Sequence, residues 1–121
     1  MNTIMLVDDS ATVLLSMSNI LIKGGYAVEK ASNASNGLAR FKDGARVDLL
    51  ITDLNMPGMN GIEFIKEVRS LPDYQIMPIL CITTESQHSR RAEAKAVGAS
   101  GWLVKPPTAA ALLDTIRLAI R

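Results

Sequence analysis

Five residues whose side chains could take part in chemistry follow apolar runs that are far apart in the chain. They comprise three carboxylates, one hydroxyl and one ammonium, at Asp8, Asp9, Asp53, Thr83 and Lys105. Carboxylates that are brought together resist ionisation unless a cation lies among them, and a set of hard oxygen ligands suits Mg²⁺. A carboxylate beside Mg²⁺ can attack a phosphoryl group, while a hydroxyl and an ammonium donate to its oxygens. The combination therefore predicts a site for phosphoryl transfer.

Each of these residues, taken alone, has a more ordinary explanation. Asp53 could simply cap the turn that follows it, and Asp8 and Asp9 are equally well explained as acids that cap a helix. Thr83 is a common strand residue, and a lysine such as Lys105 is common at the solvated end of a loop. It is the placement of all five at the ends of apolar runs that favours a common site.

The run at 49–52 predicts a strand that is buried on both faces, as central parallel strands are. Pro57, Gly58 and Gly61 then turn the chain toward a helix that is expected to begin near Ile62. An acid at the carboxyl end of such a strand lies where open α/β sheets place their ligand sites.

The rest of the chain alternates between short apolar runs and helical spacing. Strands are predicted at 3–7, 26–31, 49–52, 78–83 and 101–104. Apolar and polar residues alternate enough in the strand at 26–31 to place it at the edge of the sheet. The strands that carry the site are expected inside the sheet. A helix is predicted after each strand. The fourth helix, at 87–97, has few large apolar residues and should pack weakly. Thr108 should cap the fifth helix. Five strands alternating with five helices predict an α/β fold, with helices on both faces of a parallel sheet.

Length and composition predict a single domain over residues 1–121, with 48% hydrophobic residues to form its core. The net charge of +1 gives no support for direct binding to nucleic acid or a membrane surface. There is neither an apolar run long enough to span a membrane nor a signal peptide, so we expect a cytoplasmic protein without membrane insertion. Cys81 lies within an apolar run and is expected to be a packed thiol, and His88 a solvated surface residue.

These motifs together resemble the receiver domain of bacterial two-component response regulators. The resemblance rests on the Asp8 and Asp9 pair, the loop from Asp53 through Pro57 to Gly61, Thr83, and Lys105 followed by proline, and it extends over essentially the whole chain. The sequence is most similar to the stand-alone, CheY-like chemotaxis regulators. That likeness implies a flavodoxin-like, doubly wound sheet with strand order 2-1-3-4-5.

The resemblance also implies a role for each site residue. Asp53 would be the phosphoacceptor, and Asp8, Asp9, Asp53 and the backbone carbonyl of Asn55 would surround Mg²⁺. Thr83 would move toward the phosphoryl group, and Lys105 would pair with that group. The peptide bond between Lys105 and Pro106 would be cis. Asn55 and Glu85 match chemotaxis regulators at positions that tune attack by water, which implies a short-lived phosphoryl state.

As a family member the chain would be a monomeric switch rather than an enzyme acting on other substrates. A histidine kinase would supply the phosphoryl group, and a downstream protein such as a flagellar motor switch component would bind the altered face of the fourth helix, fifth strand and fifth helix. Trp102 stands where the family usually has Tyr or Phe, an aromatic residue that turns inward on activation. A half-exposed aromatic that simply contacts the partner is an equally good explanation of Trp102.

Two other function classes remain open on the sequence. The chain could be the receiver of a larger regulator, for instance a regulator of transcription, whose output domain is missing. It could also be a small Mg²⁺-dependent phosphatase that acts through an aspartyl-phosphate. Asn55 argues against a phosphatase, because dehalogenase-type phosphatases need a second Asp there as the acid and base.

Overall fold

The computed structural model describes residues 1–84 and 90–120. Its five strands form one parallel sheet in the order β2-β1-β3-β4-β5, and this confirms the predicted flavodoxin-like α/β fold. In chain order the elements are β1 Thr3–Val7, α1 Ala11–Lys23, β2 Ala27–Ala31, α2 Ala34–Lys42, β3 Leu49–Asp53, α3 Gly61–Ser70, β4 Ile79–Thr83, α4 Arg91–Ala96, β5 Gly101–Val104 and α5 Ala109–Ile120.

The middle of the sheet is formed by β3, whose five residues are all buried. It pairs with β1 on one side and with β4 on the other. The prediction that the second strand lies at an edge is confirmed. The expectation that every strand of the site lies inside the sheet is wrong for β5, which forms the other edge, so Lys105 follows an edge strand. The sheet is thus most protected where Asp53 emerges from it.

Two apolar cores cover the two faces of the sheet. One packs α2, α3 and α4 against it and contains Phe41, Phe64 and Ile65. The other packs α1 and α5 against the opposite face through Leu21 and Ile116. The sheet is therefore packed between two layers of helices, which bury both of its faces.

Cys81 lies in β4 and is 1% exposed. Burial, and then the charge of Asp53, raise the pKa of its thiol to about 12. The thiol is therefore protonated at neutral pH, as expected of a packed cysteine.

Side-chain caps set the helix starts that the sequence indicated. Ser10 accepts a hydrogen bond from the backbone N–H of Val13 at 3.3 Å, and Thr108 accepts one from that of Ala111 at 3.0 Å. Asn60 and Glu63 form a capping box at the start of α3. The predicted starts of β2, β4 and α3 are each within one residue of the observed starts. The predicted start of the fourth helix, at Gln87, lies outside the described residues. His88 also lies outside them.

A short 3₁₀ turn at Pro72–Tyr74 was not anticipated. It contributes the ring of Tyr74, whose centroid is 4.7 Å from that of Phe41 and whose hydroxyl donates to the carbonyl of Ala45 at 2.6 Å. Among the described residues, no helix is both long and apolar enough to cross a membrane.

Candidate phosphoryl-transfer site

Asp53 is the last residue of β3, and it is only 4% exposed. Directly behind it, the chain turns back so closely that a Cβ atom on Gly61 would lie 2.3 Å from the carbonyl oxygen of Asp53. The backbone N–H of Gly61 donates to the carbonyl of Leu54 at 3.0 Å and closes this turn. The first turn of α3 therefore buttresses the backbone that presents the Asp53 carboxylate.

Asp8 and Asp9 follow β1, the neighbour of β3. Asp8 is 4% exposed and accepts a hydrogen bond from the backbone N–H of Ser10 at 2.9 Å, while Asp9 is exposed. One carboxylate oxygen from each of Asp8, Asp9 and Asp53 lies within 4.8 Å of the other two. The structure therefore brings the three predicted carboxylates together.

This cluster fits a hard divalent cation. It offers three carboxylate oxygens, and the exposed Asp9 leaves one side open to water, which Mg²⁺ retains among its ligands. Asn55 is exposed, and its backbone N–H donates to Asp53 Oδ1 at 3.4 Å. That contact places the Asn55 backbone beside the cluster, and the role of its carbonyl as a ligand stays a prediction.

Lys105 joins two of the carboxylates. Its Nζ lies 2.9 Å from Asp8 Oδ2 and 3.4 Å from Asp53 Oδ2. Its backbone N–H donates to the carbonyl of Thr83 at 2.7 Å, and the bond between Lys105 and Pro106 is cis, as the resemblance implied. The ammonium thus neutralises part of the charge that the buried acids would otherwise leave unpaired.

Burial raises the pKa of the Asp53 carboxyl above its usual range. The charge of Lys105 opposes this rise, and the charge of Asp8 adds to it. For Lys105, burial acts to lower the pKa, but the hydrogen bond and charges of Asp8 and Asp53 outweigh it, so the pKa is raised. Ionising Asp53 therefore costs folding free energy, which a bound cation would offset.

Thr83 ends β4 and is 1% exposed. Its hydroxyl donates to the carbonyl of Leu103 on β5 at 3.4 Å, which is long for a hydrogen bond of a hydroxyl group. Thr83 therefore lies at the predicted strand end, and a weak hydrogen bond connects its hydroxyl group to the neighbouring strand β5.

Trp102 is half-buried on β5, on the face of the sheet that α2, α3 and α4 cover. The guanidinium carbon of Arg91, the first residue of α4, lies 4.6 Å from the centroid of its ring. Nothing in the sequence pointed to Arg91, because an arginine in a polar helix is normally solvated. The position of Trp102 is compatible both with an aromatic residue that turns inward on activation and with one that simply contacts a partner. Glu85 lies outside the described residues.

Because the pKa of Asp53 is raised, its effect on the free energy of unfolding should depend on pH. In metal-free buffer with a chelator, we expect the Asp53→Asn variant to be more stable than the wild type at pH 7. An acid whose pKa is raised in the folded state costs no stability below its ordinary pKa, and its full cost appears above the raised pKa. The advantage of the variant should therefore grow as pH rises from 3 to 7, as measured by urea unfolding at each pH. An advantage that grows toward acid pH instead, or one equal to that of an Asp43→Asn variant at an exposed carboxylate, would contradict this prediction.

The chain is similar to known proteins over nearly its whole length. The family model described as response regulator receiver domain matches residues 4–117. Chemotaxis protein CheY-3 of Vibrio cholerae is 35% identical over 93% of this chain and 87% of its own length, and protein PilH of Pseudomonas aeruginosa is 32% identical over 96% and 95%. A solved structure of Vibrio cholerae chemotaxis protein CheY4 superimposes with a TM-score of 0.93, at 43% identity over 98% of each chain.

Proposed function

The chain belongs to the response regulator receiver domain family and is homologous to CheY chemotaxis proteins, and on that premise we propose that it is a phosphorylation switch whose phosphoacceptor is Asp53. The observation that carries the proposal is the cluster of Asp8, Asp9 and Asp53 bridged by the Lys105 ammonium. The match over residues 4–117 supports the further proposal that one receiver domain accounts for residues 1–121.

In the proposed reaction a carboxylate oxygen of Asp53 attacks the phosphorus of a phosphohistidine on a histidine kinase. The bond from phosphorus to the histidine nitrogen breaks, the imidazole takes the electron pair, and an aspartyl-phosphate forms. The Lys105 ammonium and the Thr83 hydroxyl then donate to phosphoryl oxygens. The chain catalyses only its own phosphorylation and the hydrolysis of the aspartyl-phosphate.

We assign Mg²⁺ to the carboxylates of Asp8, Asp9 and Asp53 and to the backbone carbonyl of Asn55. When bound, it neutralises negative charge where phosphoryl oxygens and carboxylates meet. The support for this assignment is the set of oxygen donors and its opening to solvent at Asp9. In the part of the chain that the structure describes, Lys105 is the cation paired with this cluster, and its single positive charge leaves part of the charge of three acids for a divalent cation to balance.

A receiver of this kind takes its phosphoryl group from a histidine kinase and acts on a downstream target. We propose that the target is a protein of the chemotaxis apparatus, such as a flagellar motor switch component, and that the chain acts as a cytoplasmic monomer. Thr83 would leave the Leu103 carbonyl for the phosphoryl group, and Trp102 on β5 would respond to that movement.

The proposal of a stand-alone regulator is supported by the length of its relatives. The chain spans 87% of CheY-3 and 95% of PilH, so these relatives have little beyond the receiver itself. For a phosphatase that acts on outside substrates, Asn55 still stands where an acid is needed.

The proposed function is tested by the metal dependence of phosphoryl uptake. The wild-type chain is incubated with acetyl phosphate, in Mg²⁺ or in a chelator, and intact mass is followed over time. We expect uptake of one phosphoryl group in Mg²⁺, and uptake on the order of a hundredfold slower in the chelator, since the carboxylate cluster would then repel the phosphodonor. Equal rates in the two buffers would contradict the metal assignment, and no uptake in Mg²⁺ would contradict the switch.

A further inference from the structure

The contact between Arg91 and Trp102 joins α4 to the edge strand β5. The guanidinium carbon lies 4.6 Å from the ring centroid, which is within the range of a cation–π interaction. Trp102 is the only tryptophan in the chain, so the tryptophan fluorescence of the protein comes from the indole in this contact. The pair lies on the same face of the sheet as Cys81, which is opposite Trp102 in the register of β4 and β5.

Arg91 makes this contact at some cost in hydrogen bonding. Its Nε atom is buried and has no hydrogen-bond partner among the described residues. The π face of an aromatic ring attracts a guanidinium, and a planar guanidinium can stack on the ring in a way that a lysine ammonium cannot. Among the described residues, the contact with the indole face is therefore the polar interaction that holds this side chain at the sheet.

The remainder of α4 is held mainly at its other end. Arg69 of α3 donates from Nε and Nη2 to the carbonyl of Gly98 at 3.1 and 2.7 Å, just beyond the end of the helix, and from Nη1 to the carbonyl of Tyr74 at 2.8 Å. Between these two points Ala94 is the one buried residue of α4. The helix is thus fixed near Gly98, and at Arg91 it is attached through the indole.

We propose that Arg91 is the positioning residue for Trp102: its stack holds the indole in the position seen here and opposes the movement of Trp102 and α4 that accompanies phosphorylation. The inference rests on the proposed function, because it assigns the regulation of the same site. Moving the indole away from α4 removes the π face from the cation and leaves the buried Nε without compensation. Arg91 therefore favours the unphosphorylated arrangement, and losing it shifts the equilibrium between the two arrangements about two- to fivefold toward the active one.

The test uses the full chain with Arg91→Met, which keeps a long apolar side chain but loses the charge, and with Arg91→Lys as the conservative change. Lys95→Met is the matched control, because it removes the same charge from an exposed position of the same helix. Trp102 fluorescence is read in two ways: by acrylamide quenching of the unmodified protein, and by titration with beryllofluoride in Mg²⁺. Intact mass after treatment with acetyl phosphate reports phosphoryl uptake independently.

We expect Arg91→Met to raise the quenching constant and to lower the concentration of beryllofluoride at half-maximal change about two- to fivefold. Arg91→Lys should lie between Arg91→Met and the wild type, and Lys95→Met should match the wild type. Normal phosphoryl uptake combined with identical quenching in Arg91→Met and the wild type overturns the inference and leaves the proposed function intact. Raised quenching with an unchanged midpoint overturns the coupling to the switch. Absence of phosphoryl uptake by the wild type contradicts the proposed function and, with it, the coupling.

Discussion

The Asp53→Asn variant is expected to take up no phosphoryl group from acetyl phosphate in Mg²⁺, under conditions that saturate the wild type. An amide keeps the shape of the carboxylate but lacks the anionic oxygen that attacks phosphorus, and it removes one charged oxygen from the cation cluster. Because both losses act on the same step, the expected effect is a loss of at least about a thousandfold in rate. Intact-mass analysis measures uptake directly.

The matched control for this variant is Asp43→Asn. Asp43 is exposed and follows α2, which returns from the carboxyl ends of the strands, where the site lies, to their amino ends. This control should take up phosphoryl groups at the wild-type rate. Equal uptake by Asp53→Asn and Asp43→Asn would show that the acceptor is another residue, and a loss in both would point to a general effect of charge.

The Gly61→Ala variant is expected to lose about 2 kcal/mol of folding free energy, which corresponds to a fall in Tm of roughly 8 °C. Helix propensity alone predicts the opposite sign, since alanine is favoured over glycine by about 1 kcal/mol within a helix. The added Cβ would lie 2.3 Å from the Asp53 carbonyl oxygen and 2.6 Å from Leu54 Cα, however, and both are backbone atoms that cannot rotate away. The clash should therefore dominate and push α3 away from the segment that carries Asp53 and Asn55.

Urea unfolding measures this loss, and alkylation of the buried Cys81 thiol provides a second measure, because the thiol reacts only when the chain opens. Gly25→Ala is the control: Gly25 has φ +93°, and no heavy atom lies within 4 Å of an added Cβ, so only backbone strain of about 1 kcal/mol is expected. Gly61→Ala should also slow phosphoryl uptake, whereas Gly25→Ala should not. A stabilised Gly61→Ala variant would contradict the tight approach at this turn.

The fold was predictable because its signals are local. The mainly apolar run of β3, the alternating run of β2 and the cap at Thr108 each depend on a few neighbouring residues. The residue pattern did not indicate that β5 lies at the edge, because an apolar strand of four residues has the same pattern at an edge as inside a sheet. The strand order itself came from the resemblance, since periodicity does not specify which strands are neighbours.

The carboxylate cluster was predictable because the ends of parallel strands must meet at one edge. The contacts of arginine side chains were not, because a long side chain can reach many partners and its sequence position does not specify which. Arg69, which ties the end of α4 to α3, and Arg91, which contacts the ring of Trp102, both lie in helices, where an arginine is ordinarily solvated and no local pattern indicates its partner. The steric role of Gly61 was likewise hidden, because a glycine before a helix is adequately explained by the turn itself.

The most direct test of the account is to locate the phosphoryl group in the wild-type chain. After treatment with acetyl phosphate in Mg²⁺, borohydride reduction converts an aspartyl-phosphate into homoserine, and peptide mass analysis identifies the position. Asp8, Asp9 and Asp53 all have oxygens in the cluster, so the measurement distinguishes the acceptor from the acids that hold the cation. We expect homoserine at position 53 and unmodified Asp8 and Asp9. Homoserine at position 8 or 9, with Asp53 unmodified, would contradict it.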